Sequence, residues 1–199
     1  MKYVIPLFLA LSASPLLADG TRQLESHEHG VGTLDIAVDG STIAMELHAP
    51  GADIVGFEYA AESETDRAAI DVAVAILARP LDLFVLPAAA GCSVTKASAG
   101  LEGEEDHNTH DAKTDHGDHA HEDEPNEHDD HAEEAGHAEF HAEYTLTCAQ
   151  PDALTEIKFA YFDTFENARE LEVQIITGSG AQAFEVERDA PALDLRSLF

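Results

Sequence analysis

The sequence predicts an α+β fold: a mostly antiparallel β-sheet with one main helix, and a disordered His/acidic loop inserted in a hairpin. Three observations carry this reading. Apolar residues alternate with polar ones in several short runs bounded by turn signals. Only the stretch 64–78 spaces its apolar residues at helical intervals, with Ile70, Val74 and Leu77 on one side. Between two strand-like runs lies a segment dominated by histidine, aspartate and glutamate. No unit repeats with a period of roughly 20 to 50 residues, which excludes a solenoid.

Taken in order, the chain opens with MKYVIPLFLALSASPLLADG. Lys2 is followed by a short apolar run and then by small residues, the pattern of a secretory signal peptide over 1–18, cleaved after Ala18. The run is shorter than the roughly 20 residues needed to span a bilayer, and no later segment qualifies, so membrane insertion is not expected. The remainder, 19–199, reads as one domain with an insert at 102–136.

GTLDIAVDGSTIAMELHAP reads as a hairpin. Asp39-Gly40 supplies the turn signal, which sets Ile36 opposite Ile43 and Leu34 opposite Met45. That register puts Val31 opposite His48, with His29 diagonal to it on the outer face beside Glu46. GADIVGFEYAA follows as a loop or short strand. Ser63 caps the helix with Asp66 as box partner, and Pro80 ends it. LDLFVLP is a short buried element. A strand from about Cys92 to Ala99 and another from about Ala138 to Cys148 bracket the insert. LTEIKFAYF, RELEVQIIT and QAFEVER are further strands, with Gly178-Ser179-Gly180 as a turn.

The formal net charge of -30 argues against nucleic acid and anionic membranes, since both require a positive patch. The only two cysteines are Cys92 and Cys148. In an exported protein they are expected to form one disulfide, which sets Val94 opposite Leu146.

Nine of the twelve histidines fall between 104 and 144: His107, His110, His116, His119, His121, His128, His131, His137 and His141. The insert cannot bury a core, so disorder is expected there. Its histidines recur two or three residues apart, so neighbouring imidazoles can share one ion, and His-rich tracts signal metal binding. Imidazole with carboxylate suits Zn²⁺, with Ni²⁺ or Cu²⁺ as alternatives. His27, His29 and His48, with Glu46 or Glu58, form a second expected cluster on more rigid chain. No triad, phosphate loop or HExxH is present, so no enzyme is expected. A metallohydrolase would need a fixed site with an open position and a general base, and a plain adhesion domain would not respond to metal.

The frame HEHG…L.IAVDG…MEL.APGADIVGFE, the later LF.LP.AAGC, the His/acidic insert and the closing AEY.L.C resemble the ZrgA-type periplasmic zinc-uptake proteins of Gram-negative bacteria. Tyr59 stands where many members carry a histidine. The resemblance spans almost all of the chain after the leader. It implies a periplasmic location, and zinc ligation by His27, His29 and the insert histidines. It also implies assistance to high-affinity zinc uptake, with a zinc ABC transporter or its binding protein as the receiving partner. The rival expectation is a periplasmic nickel or copper buffer.

Overall fold

The computed structural model describes residues 29–102 and 138–198. The leader, His27 and the insert histidines from His107 to His137 lie outside the described residues. The elements are β1 (Val31–Asp39), β2 (Thr42–Pro50), α1 (Gly51–Ile54), α2 (Glu64–Leu77), α3 (Pro80–Leu83) and β3 (Phe84–Val85). They continue with β4 (Cys92–Glu102), β5 (Glu139–Cys148), β6 (Glu156–Phe159), α4 (Tyr161–Thr164), β7 (Glu170–Thr177), β8 (Gly180–Glu187) and β9 (Ala192–Asp194). The fold is mixed α+β and mostly sheet, as the patterning predicts. Two sheets form, one of six strands in the order β4-β5-β2-β1-β7-β8 and one of three in the order β3-β6-β9. All strand pairs are antiparallel except β1 with β7.

Strand alternation separates the two faces of the large sheet. Leu34, Ile36, Ile43, Met45, Leu47, Phe140, Tyr144 and Leu146 are buried on the inner face. The small sheet and α2 cover this face. Phe84 of β3 joins the layers, with its ring against Tyr144 of β5, Phe159 of β6 and Tyr161 of α4. Burying side chains of this size contributes about 1.5–3 kcal/mol each. The outer face carries Asp35, Glu46, His48, Glu139, His141, Glu143, Glu172 and Glu185.

Helix α2 begins as its sequence requires. Ser63 Oγ accepts from the Asp66 N–H at 3.0 Å, and Asp66 Oδ2 accepts from the Ser63 N–H at 3.2 Å. This reciprocal cap contributes about 1 kcal/mol. Pro80 holds the preceding Arg79 out of the helical region, at φ -120° and ψ 70°. The helix therefore ends and a short new turn, α3, begins.

The expected strand LTEIKFAYF ends at Phe159, with Tyr161–Thr164 helical, and β4 runs on to Glu102. Two further differences concern the first hairpin and the chain after it. The β1–β2 turn is Gly40-Ser41, because Asp39 pairs with Thr42. Gly40 has φ +56°, which fits a two-residue turn with glycine at its first central position. Ile36 therefore faces Met45 and Leu34 faces Leu47. A shift of two keeps every side chain on its face but replaces Val31 by Thr33 opposite His48. Residues 51–54 also form a helical turn rather than a loop or strand.

The bracketing strands pair as the cysteines require. Cys92 and Cys148 are directly opposite and disulfide-bonded, and Val94 faces Leu146. The register then slips between Val94 and Lys96. Thr95 is the extra residue, and its hydroxyl donates to the Thr145 carbonyl at 2.9 Å. A one-residue bulge turns the following side chains to the opposite face. Lys96, Gly100 and Glu102 consequently lie opposite Thr145, His141 and Glu139 on the outer side.

Candidate metal centre

Cross-strand pairing brings His48 of β2 directly opposite His141 of β5. Both sit at outward positions of alternating strands, which is why neither joins the core. Their rings stack with centroids 4.5 Å apart and planes at 23°. The side chains are 33% and 24% exposed, so each is partly desolvated yet reachable. Gly32 of β1 permits the close backbone approach beside them: a Cβ there would meet the His48 carbonyl at 2.9 Å.

Glu46, two residues before His48 on the same face, reaches both imidazoles. Its Oε1 is 3.3 Å from His48 Nε2 and 3.1 Å from His141 Nε2. Ligand atoms bound about 2.0–2.1 Å from a tetrahedral zinc lie about 3.3 Å from one another. The two carboxylate–imidazole separations match that spacing, and all three ligand atoms lie within 4.8 Å of one another. On the far side of the rings, His48 Nδ1 lies 3.7 Å from Glu139 Oε1. His141 Nδ1 lies 3.5 Å from Glu102 Oε1. Two overlapping donor groups result: Glu46, His48 and His141, and His48, Glu102 and Glu139.

The surrounding charge is negative. Glu46 is opposite Asp35 on one side and Glu143 on the other, and like charges so placed repel. Glu143 is relieved by Lys96, whose Nζ donates to it at 3.0 Å. That hydrogen bond, with the lysine charge, holds Glu143 below the usual carboxylate range. Glu46 has no lysine or arginine in an ion pair with it among the described residues and faces the imidazoles instead.

His29 lies elsewhere. The observed register places it before the strand, and its Nε2 is 3.0 Å from Glu58 Oε2. Glu58 is mostly buried, at 13% exposure. Asp53 of α1 is near both and is 2% exposed. Its Oδ1 accepts from the Gly30 N–H at 2.8 Å. Burial pushes the Asp53 carboxyl above its ordinary range, against the opposing effects of that hydrogen bond and of His29.

The sequence pattern puts His48 and Glu46 on the outer face of the first hairpin and groups His141 with the insert histidines; only the pairing of β2 with β5 brings them together. Nothing local announces that β2 is flanked by β5. Glu102 and Glu139 also escape the sequence pattern. The bulge that swings Glu102 outward leaves a weak sequence signal at most, a threonine among small and polar residues. Comparison with curated proteins gives no match. Residues 26–195 match a family described as ZrgA family zinc uptake protein, a span that includes every described strand and both clusters of histidine and carboxylate. That family is one of zinc uptake proteins, not of enzymes. With the match covering most of its length, the chain belongs to the ZrgA family of zinc uptake proteins.

Proposed function

We propose that the protein is a periplasmic zinc-binding protein that captures Zn²⁺ and hands it to a high-affinity uptake system. The observation that carries this reading is the Glu46–His48–His141 arrangement, with donor spacings that suit one tetrahedral ion. It is built on paired strands, so little chain has to be ordered on binding, and it is the tighter site. The insert histidines, His107 through His137, supply a larger number of exchangeable sites. His27 and His29, with Glu58, are further ligands. The Cys92–Cys148 bridge is compatible with an oxidising compartment. So is the expected leader over 1–18. No described helix is long and apolar enough to cross a membrane. The receiving partner is a zinc ABC transporter or its binding protein.

The decisive experiment has two parts. The exported protein is isolated and its bound metal measured, then titrated with Zn²⁺, Ni²⁺ and Cu²⁺ against a chelator. Zinc is expected as the bound ion, with one tight equivalent that His48→Ala and His141→Ala each remove. Bound nickel or copper would replace the zinc reading by a buffering role. Unchanged tight affinity in both variants would refute the sheet site.

A further inference from the structure

The two donor groups share His48 but use opposite edges of its ring. We propose that the sheet carries a second cation position, formed by His48 Nδ1, Glu102 and Glu139. A divalent transition-metal ion would pass through it between the insert and the Glu46–His48–His141 position. The proposal rests on the zinc-binding reading above and adds the route.

The separations leave room for a cation. His48 Nδ1 is 3.7 Å from Glu139 Oε1, and His141 Nδ1 is 3.5 Å from Glu102 Oε1. Both exceed the roughly 2.7 to 3.2 Å of a nitrogen–oxygen hydrogen bond. One atom from each of His48, Glu102 and Glu139 lies within 4.8 Å of the others, close enough for all three to reach one ion. Glu102 and Glu139 are also directly opposite across the strands. A divalent ion between two facing carboxylates is attracted by both.

Chemistry ranks the two positions. The inner one offers two imidazoles and one carboxylate, the outer one a single imidazole and two carboxylates. A zinc-like ion of borderline softness favours the nitrogen-richer set. A neutral imidazole carries its proton on one nitrogen and ligates through the other. His48 can therefore serve only one position at a time, so the two compete and form successive stops for a single ion. Topology sets their order. Glu102 ends β4 and Glu139 begins β5, so these carboxylates stand at the two roots of residues 103–137. An ion leaving the insert along the chain reaches them before it reaches Glu46.

The test uses the full chain in stopped-flow mixing with Zn²⁺ and a fluorescent zinc chelator, which reads loading and release of the chelator-resistant site. In the Glu102→Gln/Glu139→Gln double variant, loading slows about tenfold, the lower end of what focused charge adds to association. Release slows with it, because a way station acts equally in both directions, and the equilibrium affinity stays within about threefold. An unchanged loading rate overturns the proposal. So does weaker affinity through faster release, which would make the carboxylates supports for the rings. The Glu172→Gln/Glu185→Gln control removes two carboxylates from the same face, on β7 and β8, that belong to neither donor group. Equal slowing there would assign the effect to the general field and overturn the route. If His48→Ala and His141→Ala leave tight binding unchanged, the underlying metal site fails. If they abolish it while the double glutamine variant loads normally, only the route fails.

Discussion

Replacing Cys92 and Cys148 together by alanine tests the clasp at the base of the insert. The two residues are 56 apart in sequence, and cross-linking a loop of that length restricts the unfolded chain by about 4 kcal/mol in the loop-entropy treatment. The folded side changes less. The cysteines already face each other across β4 and β5, and Cys148 packs in the core. Alanine leaves only a small void there. Urea denaturation followed by far-ultraviolet circular dichroism, with a chelator present, measures the loss. The midpoint should fall by the equivalent of about 4 kcal/mol, and the denaturant dependence should steepen because the released unfolded chain exposes more surface. The Glu46–His48–His141 site should survive in the variant at temperatures well below its melting point, since the β2–β5 pairing does not depend on the bridge. A loss under about 1 kcal/mol with an unchanged denaturant slope would refute the loop-entropy argument.

Three further outcomes follow from the core and its approaches. Phe84→Ala empties the junction between the two sheets and should cost about 3–5 kcal/mol by denaturant titration. Gly51→Ala places a Cβ 2.6 Å from the Phe57 carbonyl and 2.8 Å from that of Ala138. Backbone oxygens cannot rotate away, so a loss of about 1–3 kcal/mol is expected. Asp53→Asn probes the buried carboxylate, whose folded-state titration lies above its ordinary value of 3.8. Its protonated form is favoured by folding, so wild-type stability is greatest below the ordinary value and is lost as pH rises through the raised one. The asparagine variant keeps an oxygen for the Gly30 N–H and lacks that loss. Its stability relative to wild type should therefore rise with pH over this window, in metal-free urea titrations at a series of pH values. A constant difference would show that Asp53 titrates alike in folded and unfolded chains.

Local patterns made much of this structure legible. The capping residues Ser63 and Asp66, the stop at Pro80, the alternation in β5 and the cysteine pairing each act over a few residues or through one covalent bond. Their physics is therefore written into short stretches of sequence. The hairpin turn is ambiguous by one residue in the sequence, because Asp39-Gly40 and Gly40-Ser41 both offer a glycine to the bend and both choices bury the same side chains. The neighbours of β2 and the parallel pairing of β1 with β7 depend on how distant strands share the inner core, which no local pattern records. The candidate centre is illegible for the same reason. His48 and His141 are 93 residues apart by numbering, and they meet only because both flank that undisclosed pairing. The bulge at Thr95 was hidden differently, since the strand pattern around it is already weak.

The placement of residues 103–137 between two bonded strands has an evolutionary consequence. The register of β4 on β5 is set by the bridge, the bulge and the inner face, all outside that segment. Chain added or removed between Glu102 and Glu139 leaves those determinants in place, and doubling the length of a flexible loop costs in general only about 0.6 kcal/mol of closure entropy. Selection can therefore alter the number of histidines by insertion and deletion without retuning the domain. The geometry at Glu46, His48 and His141 would stay fixed while the length and histidine content of the intervening stretch drift.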